Sequence, residues 1–223
     1  MNMRFRTNNN TWNGDARPQW RKFLSIFYPF IFLFLPVFCF SCSEDTNENA
    51  EFDNWQQRND AYFASLKDSM AVGNNWKRIK KYSLDPMLKG EDTDYIYAKV
   101  LVEGTDIDGG CPNYTDSVRV SYQGRLIPTD TYPEGYVFDG TVYGSYNLST
   151  TATTKFLISS NLVDGFATAL QNMHRGDRWR VYIPYNLGYK ATVQSSIPAY
   201  STLIFDITLV DFSPVGKPMP VWK

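Results

Sequence analysis

The chain offers little for nucleophilic or metal chemistry: one histidine and three cysteines in 223 residues. Cys111 sits in a Gly-Gly-Cys-Pro loop, and His174 lies far along the chain in the turn-like stretch QNMHRGD. A catalytic cysteine needs a base and a structural zinc needs four ligands. This spacing therefore argues against a Cys–His pair or a zinc site, and Cys111 reads as a loop residue without a role. The common hydrolase, metalloprotease and nucleotide motifs are absent, and no metal or cofactor is expected. What remains is aromatic and acidic: aromatics make up 16% of the chain and recur at strand spacing, and Asp139 directly follows Phe138. Taken alone, aromatics at such spacing are core residues. Asp139 is harder to absorb, because a buried carboxylate needs a partner.

The elements that carry these residues can be read from periodicity. From Glu51 to Val72, Phe52, Trp55, Tyr62, Phe63, Leu66 and Met70 fall roughly on one helical face, and Gly73 supplies a stop. This amphipathic helix is expected to pack on the main domain, with pairing to a second copy as the alternative. Trp76 to Asp92 is mixed. From Tyr95 the period changes to two. Val118, Val120 and Tyr122 alternate with Arg119, Ser121 and Gln123. Trp179, Val181 and Ile183 alternate with Arg178, Arg180 and Tyr182, and Leu203, Phe205, Ile207 and Leu209 share one face of a long strand. Such alternation marks half-buried antiparallel strands. One short helix interrupts them, with Asp164 placed to cap GFATALQNM and with Phe166, Leu170 and Met173 on one face. The fold class expected is α+β, a curved antiparallel β-sheet wrapped over one short helix, with the N-terminal amphipathic helix added.

The first 41 residues are read as a signal, not as fold. Arg17, Arg21 and Lys22 precede an apolar run from Phe23 to Phe40; Ser41-Cys42 and the polar, acidic SEDTNENAE follow. This is the layout of a bacterial lipoprotein signal, with Cys42 as the lipidated residue. An uncleaved membrane anchor is the alternative, since the run approaches the ~20 residues that a spanning helix needs. The acidic tract after Cys42 resembles the surface-export signal of lipoproteins in Bacteroides-like bacteria. The expected divisions are 1–41 signal peptide, 42–50 acidic tether, 51–94 N-terminal helical segment, 95–212 main domain and 213–223 C-terminal tail. The whole chain has net charge −1, and losing the basic leader makes the rest more acidic. Without clustered Lys and Arg, no nucleic-acid partner is expected.

The order VSYQGRL, YVFDG, LVDGFATALQNMHRGDRWRVYIP, LGY and IPAYSTLIFDITLV resembles the FKBP-type peptidyl-prolyl cis-trans isomerase family over about Tyr95 to Phe212. The resemblance implies that Tyr122 is the pocket tyrosine and that Phe138 and Asp139 are the Phe-Asp pair of the next strand. It makes Leu162 and Val163 the aliphatic pair whose backbone meets substrate, and Phe166 the pocket floor, more often Trp. Tyr189 becomes the tyrosine whose hydroxyl bonds a substrate carbonyl, Ile197 the aliphatic residue of the loop over the pocket, and Phe205 the inner wall. Tyr122, Asp139, Phe166 and Tyr189 are thereby implied as catalytic, and Phe138, Leu162, Val163, Ile197 and Phe205 as substrate-binding.

The chain departs from that pattern in places. The loop Gly140–Thr154 is long, the usual arginine partner of the Phe-Asp aspartate is not visible, and Thr153 or Thr154 stands where an aromatic is common. Pro128–Gly135 is an insertion, and Tyr132, Tyr143 or Tyr146 is available to refill the rim. The expected function is a prolyl isomerase that is lipid-anchored at the outer membrane and assists folding of exported proline-containing polypeptides. A non-catalytic binding module of the same fold is the first alternative. A surface carbohydrate-binding lipoprotein, suggested by the tyrosines, is the second. Client proteins and oligomeric state are not legible.

Overall fold

The computed structural model describes residues 50–221 apart from 107, 108 and 161. The signal segment and Cys42 lie outside the described residues. Seven strands form one sheet in the order β1-β2-β6-β7-β3-β4, with β5 also pairing with β3. They are β1 Trp76–Lys80, β2 Tyr95–Val102, β3 Ser117–Arg125, β4 Val137–Gly140, β5 Thr154–Leu157, β6 Arg178–Ile183 and β7 Leu203–Ser213. Every pairing is antiparallel. Two helices accompany the sheet, α1 Trp55–Val72 and α2 Asp164–Leu170. Among the described residues no helix is long and apolar enough to cross a membrane.

β6 keeps the alternation of its sequence from Arg178 to Val181, whereas β7, central between β6 and β3, is also buried on its other face at Ile204 and Thr208. Trp179, Val181 and Ile183 are fully buried on one face of β6, and Leu203, Ile207 and Leu209 on the same face of β7. Between these strands Arg180 faces Asp206 across the register and grips its carboxylate with two parallel bonds, at 2.6 and 2.8 Å. β3 departs from the half-buried expectation, since Arg119 and Ser121 are buried as well as Val118, Val120 and Tyr122. The strand is central, paired with β7 on one side and with β4 and β5 on the other. The C-terminal segment covers Arg119, whose guanidinium donates to the Pro220 carbonyl at 2.7 Å.

The segment 51–94 is not wholly helical. It contains β1, an edge strand whose residues WKRIK place two lysines and an arginine where the sheet would otherwise present an open edge. Helix α1 buries Trp55, Asn59, Phe63 and Leu66. Phe52 precedes the helix in a 3-10 turn, Ala50–Phe52, and is exposed. The polar member of the buried face, Asn59, accepts the Thr202 N–H at 2.7 Å and donates to the Trp55 carbonyl at 2.7 Å. Trp55 donates its indole N–H to Ser201 Oγ at 2.8 Å, and Phe63 lies 4.9 Å from the ring of Tyr97 in β2.

The capping expected of Asp164 falls one residue earlier. Val163 is the N-cap, in extended conformation, and no side chain caps the helix. Asp164 occupies the first turn, where its charge faces the positive end of the helix. α2 lies close on the sheet because Gly165 has no side chain: a Cβ there would stand 3.1 Å from Ile183 Cβ.

Candidate active site

The site grows from the neighbouring strands β3 and β4. Gly124 pairs with Asp139 across them, so Tyr122 and Asp139 lie within side-chain reach. The Tyr122 hydroxyl donates to Asp139 Oδ2 at 2.6 Å, and Asp139 Oδ1 accepts the Gly140 N–H at 2.8 Å. Tyr122 and a backbone amide are thus the partners that the aspartate has in place of an arginine. Burial, then the bond to Asp139, pushes the Tyr122 phenol well above its ordinary range. Tyr189 follows the short turn Tyr185–Leu187. Its phenol is pushed up by burial and next by the Asp139 charge, and both Tyr189 and Tyr143 act electrostatically on Tyr122. The upward shifts keep the Tyr122 and Tyr189 hydroxyls protonated and able to donate.

Around Tyr122 the aromatic rings meet mainly edge to face. Phe166 from α2 lies 5.9 Å from Tyr122 and 5.0 Å from Phe205 of β7, and Phe138 lies 5.5 Å from Phe205. Such offset and T-shaped pairs suit the ring quadrupole. Gly124 makes the arrangement possible, because a Cβ at this position would lie 2.6 Å from ring atoms of both Phe138 and Phe205. A fifth ring, Phe156 of β5, lies 5.8 Å from Tyr122 and 6.2 Å from Phe166. Sequence reasoning missed it by looking for an aromatic at Thr153 or Thr154. The signal was present in KFL, which places Phe156 opposite Val118.

Leu162 and Val163 are half-buried against the core as the chain enters α2. Among the described residues the Val163 N–H makes no hydrogen bond. Ile197 is buried in the loop before β7. That loop is tightly folded: Lys190 and Tyr200 both adopt left-handed conformations, with φ of 57° and 61°, and the Tyr200 N–H reaches the Lys190 carbonyl at 2.8 Å. Left-handed residues other than glycine cost energy and cluster at ligand-binding segments.

The long loop after β4 does not bring its tyrosines down onto these rings: Tyr143 is 81% exposed. Tyr146 lies beneath the Arg178 guanidinium at 4.2 Å, and Tyr132 packs edge-on against Tyr136 at 5.2 Å. The three tyrosines thus lie in different surroundings.

Cys111 and His174, expected apart, meet with Sγ 3.6 Å from Nε2, and His174 Nδ1 lies 3.7 Å from Asp177 Oδ2. Non-local loop packing brings them together. Both Asp177 oxygens already accept backbone N–H groups, from Gly104 and His174, at 2.7 Å each. Burial, then the Asp177 charge, pushes the Cys111 thiol up, which favours the unreactive neutral form. Among the described residues no group of three or more His, Cys, Asp and Glu side chains could hold a metal ion.

The antiparallel sheet and the short helix against it thus carry an aromatic cluster that holds one Tyr–Asp pair. Residues 109–210 match the model of the family FKBP-type peptidyl-prolyl cis-trans isomerase. The macrophage infectivity potentiator of Trypanosoma cruzi is 37% identical over 107 residues, 48% of each chain. The FKBP-type peptidyl-prolyl cis-trans isomerase FkpA of Escherichia coli K12 is 29% identical over 150 residues, 67% of this chain and 48% of its own. The outer membrane protein MIP of Legionella longbeachae is 34% identical over 113 residues, 50% of this chain and 42% of its own. The crystal structure of E. coli FkpA superimposes with a TM-score of 0.52 at 23% identity, covering 74% of this chain and 64% of that one, a likeness of fold. The comparisons support the FKBP-type peptidyl-prolyl cis-trans isomerase family for this chain. The chain spans about half the length of the curated relatives it matches.

Proposed function

We propose that the chain is a peptidyl-prolyl cis-trans isomerase acting on proline-containing polypeptides, with residues 95–212 as its working domain. The observation that carries the reading is the Tyr122–Asp139 bond inside a ring of phenylalanines. An X–Pro amide rotates over a barrier of roughly 18–20 kcal/mol because resonance is lost in the twisted form. No bond breaks, so the enzyme needs only to favour the twisted amide over both planar ones. Phe138, Phe156, Phe166 and Phe205 take the prolyl ring and remove water from the amide, which weakens its charge-separated resonance form. The Tyr189 hydroxyl and the Val163 N–H hold flanking carbonyls as donors fixed before the reaction. Asp139 positions Tyr122 through the hydrogen bond that it accepts from the phenol.

The envelope is the proposed site of action. The basic flank, apolar run and Ser41-Cys42 step support lipidation at Cys42, and one relative is named an outer membrane protein. Several acyl chains on one cysteine suffice for stable anchoring where a single chain is marginal. A proline-peptide isomerisation assay on the full chain tests the activity. Binding without acceleration would replace this reading with the non-catalytic module. Mass spectrometry of the natively expressed protein tests the anchor, and an intact 1–41 segment would refute it.

A further inference from the structure

A cavity of about 800 Å³ opens beside the aromatic cluster, between the 3-10 turn that precedes α1, the Pro128–Gly135 insertion and the loop 193–199. Its walls include Glu51, Phe52, Tyr132, Tyr136, Val193 and Ile197. Three of these, Phe52, Tyr132 and Val193, are exposed apolar side chains gathered around one opening. Such clustering on a surface marks a contact site more often than chance exposure does.

The walls are held in place from both sides. Thr131 of the insertion donates to Glu51 Oε2. Trp55 and Asn59, at the start of α1, bond Ser201 and Thr202 at the end of the loop. The groove shares one residue with the candidate prolyl site. That residue is Ile197, and Tyr136, which also lines the groove, stands two residues before Phe138, about 7 Å of extended backbone. That distance is about two residues of an extended peptide.

The groove also carries a charge. Glu51 Oε1 is buried and, among the described residues, has no hydrogen-bond partner. Bonds from Thr129 and Thr131 hold the Glu51 carboxyl below its ordinary range. Arg58 is the cation nearby, and it spends its hydrogen bond on the Glu51 backbone carbonyl at 2.7 Å. Glu51 thus brings a carboxylate to the wall of the groove.

We propose that this groove is an extension of the prolyl site, binding the substrate polypeptide beside the proline and selecting an apolar stretch with a Lys or Arg opposite Glu51. The inference rests on the isomerase reading and adds its specificity. The test compares the full chain with Glu51→Gln and Phe52→Ala on two peptides. One is a tetrapeptide with a central X–Pro bond. The other is the same core extended by six apolar residues on either side in turn, with one Lys two to four positions from the proline. The extended peptide should have a KM lower on the order of tenfold, the scale of one charge-assisted hydrogen bond. Glu51→Gln should remove most of that gain while tetrapeptide turnover is unchanged. Equal KM values for the two peptides, or a gain that survives Glu51→Gln, would overturn the proposal. So would sedimentation showing a dimer that Phe52→Ala dissociates, since a second copy would then occupy the groove. If the tetrapeptide is not turned over at all, the isomerase reading fails separately. Fluorescence anisotropy of the labelled extended peptide, wild type against Glu51→Gln, then still decides the groove.

Discussion

The Tyr122 hydroxyl and Asp139 Oδ2, on neighbouring antiparallel strands, are 2.6 Å apart. The geometry makes the phenol a donor to the carboxylate and fixes Tyr122 among the aromatic rings, with Asp139 on the exposed side. Tyr122→Phe removes this donor without opening the core, and exposed Asp139 keeps the Gly140 N–H and water. We expect kcat/KM to fall by about 10–100-fold, the equivalent of a hydrogen bond to a charged group at 1.5–3 kcal/mol, with the melting temperature nearly unchanged. Asp139→Ala should give a similar loss. An unaltered kcat/KM in both variants would remove the pair from the mechanism.

Gly124 is where motif and site coincide. A methyl group at this position collides with Phe138 and Phe205 together, so Gly124→Ala must move both rings. Activity should be lost while far-UV circular dichroism retains the sheet. Phe156→Ala should resemble Phe166→Ala in raising KM, because each ring faces Tyr122. If Phe156→Ala behaves as wild type, this ring is only packing.

Legibility in the sequence followed the range of the interaction. β6 was readable because period-two burial is local, whereas β7, flanked by strands on both sides, is buried on both faces; the family resemblance named Tyr122, Phe138, Asp139 and Phe166 before any contact was known. Asn59 was not readable. A polar residue on an apolar helix face becomes a sensible buried residue only once the Thr202 N–H is opposite it. Cys111 and His174 failed for the same reason, since loop packing and not spacing joins them. Asp206 is tied to Arg180 and holds two strands together, a pairing that only the register of β6 and β7 reveals. The groove was invisible because three distant segments build it.

Helix α1 should matter for stability more than its distance from the rings suggests. Trp55→Ala removes a buried ring and the bond to Ser201, and large-to-small changes of this kind cost about 3–5 kcal/mol. Asn59→Leu strands the Thr202 N–H at about 1–3 kcal/mol. Urea titrations followed by tryptophan fluorescence check both values. Losses below about 0.5 kcal/mol would mean that α1 is loosely held.

Cys111→Ser should leave isomerisation unchanged, because the thiol faces His174 and not the rings. Alkylation of Cys111 by iodoacetamide at pH 8 should be slower in the native chain than in urea, since burial disfavours the thiolate. A faster native reaction would instead indicate that His174 activates the sulfur.

The tyrosines set the alkaline limit. Burial pushes Tyr62 up to about 12, and it raises Tyr122, Tyr182 and Tyr189 as well. An unfolded tyrosine titrates near 10. Where the folded value is the higher one, the native state binds more protons than the unfolded chain between the two. Stability from these groups is therefore complete below about pH 10 and falls as pH rises towards 12. The midpoint of urea unfolding should be level from pH 7 to 9 as far as these groups are concerned, then decline. Tyr62→Phe has no proton to lose, so its decline above pH 10 should be shallower than that of the wild type. Parallel declines in the two proteins would show that Tyr62 titrates alike in both states and that its burial does not contribute.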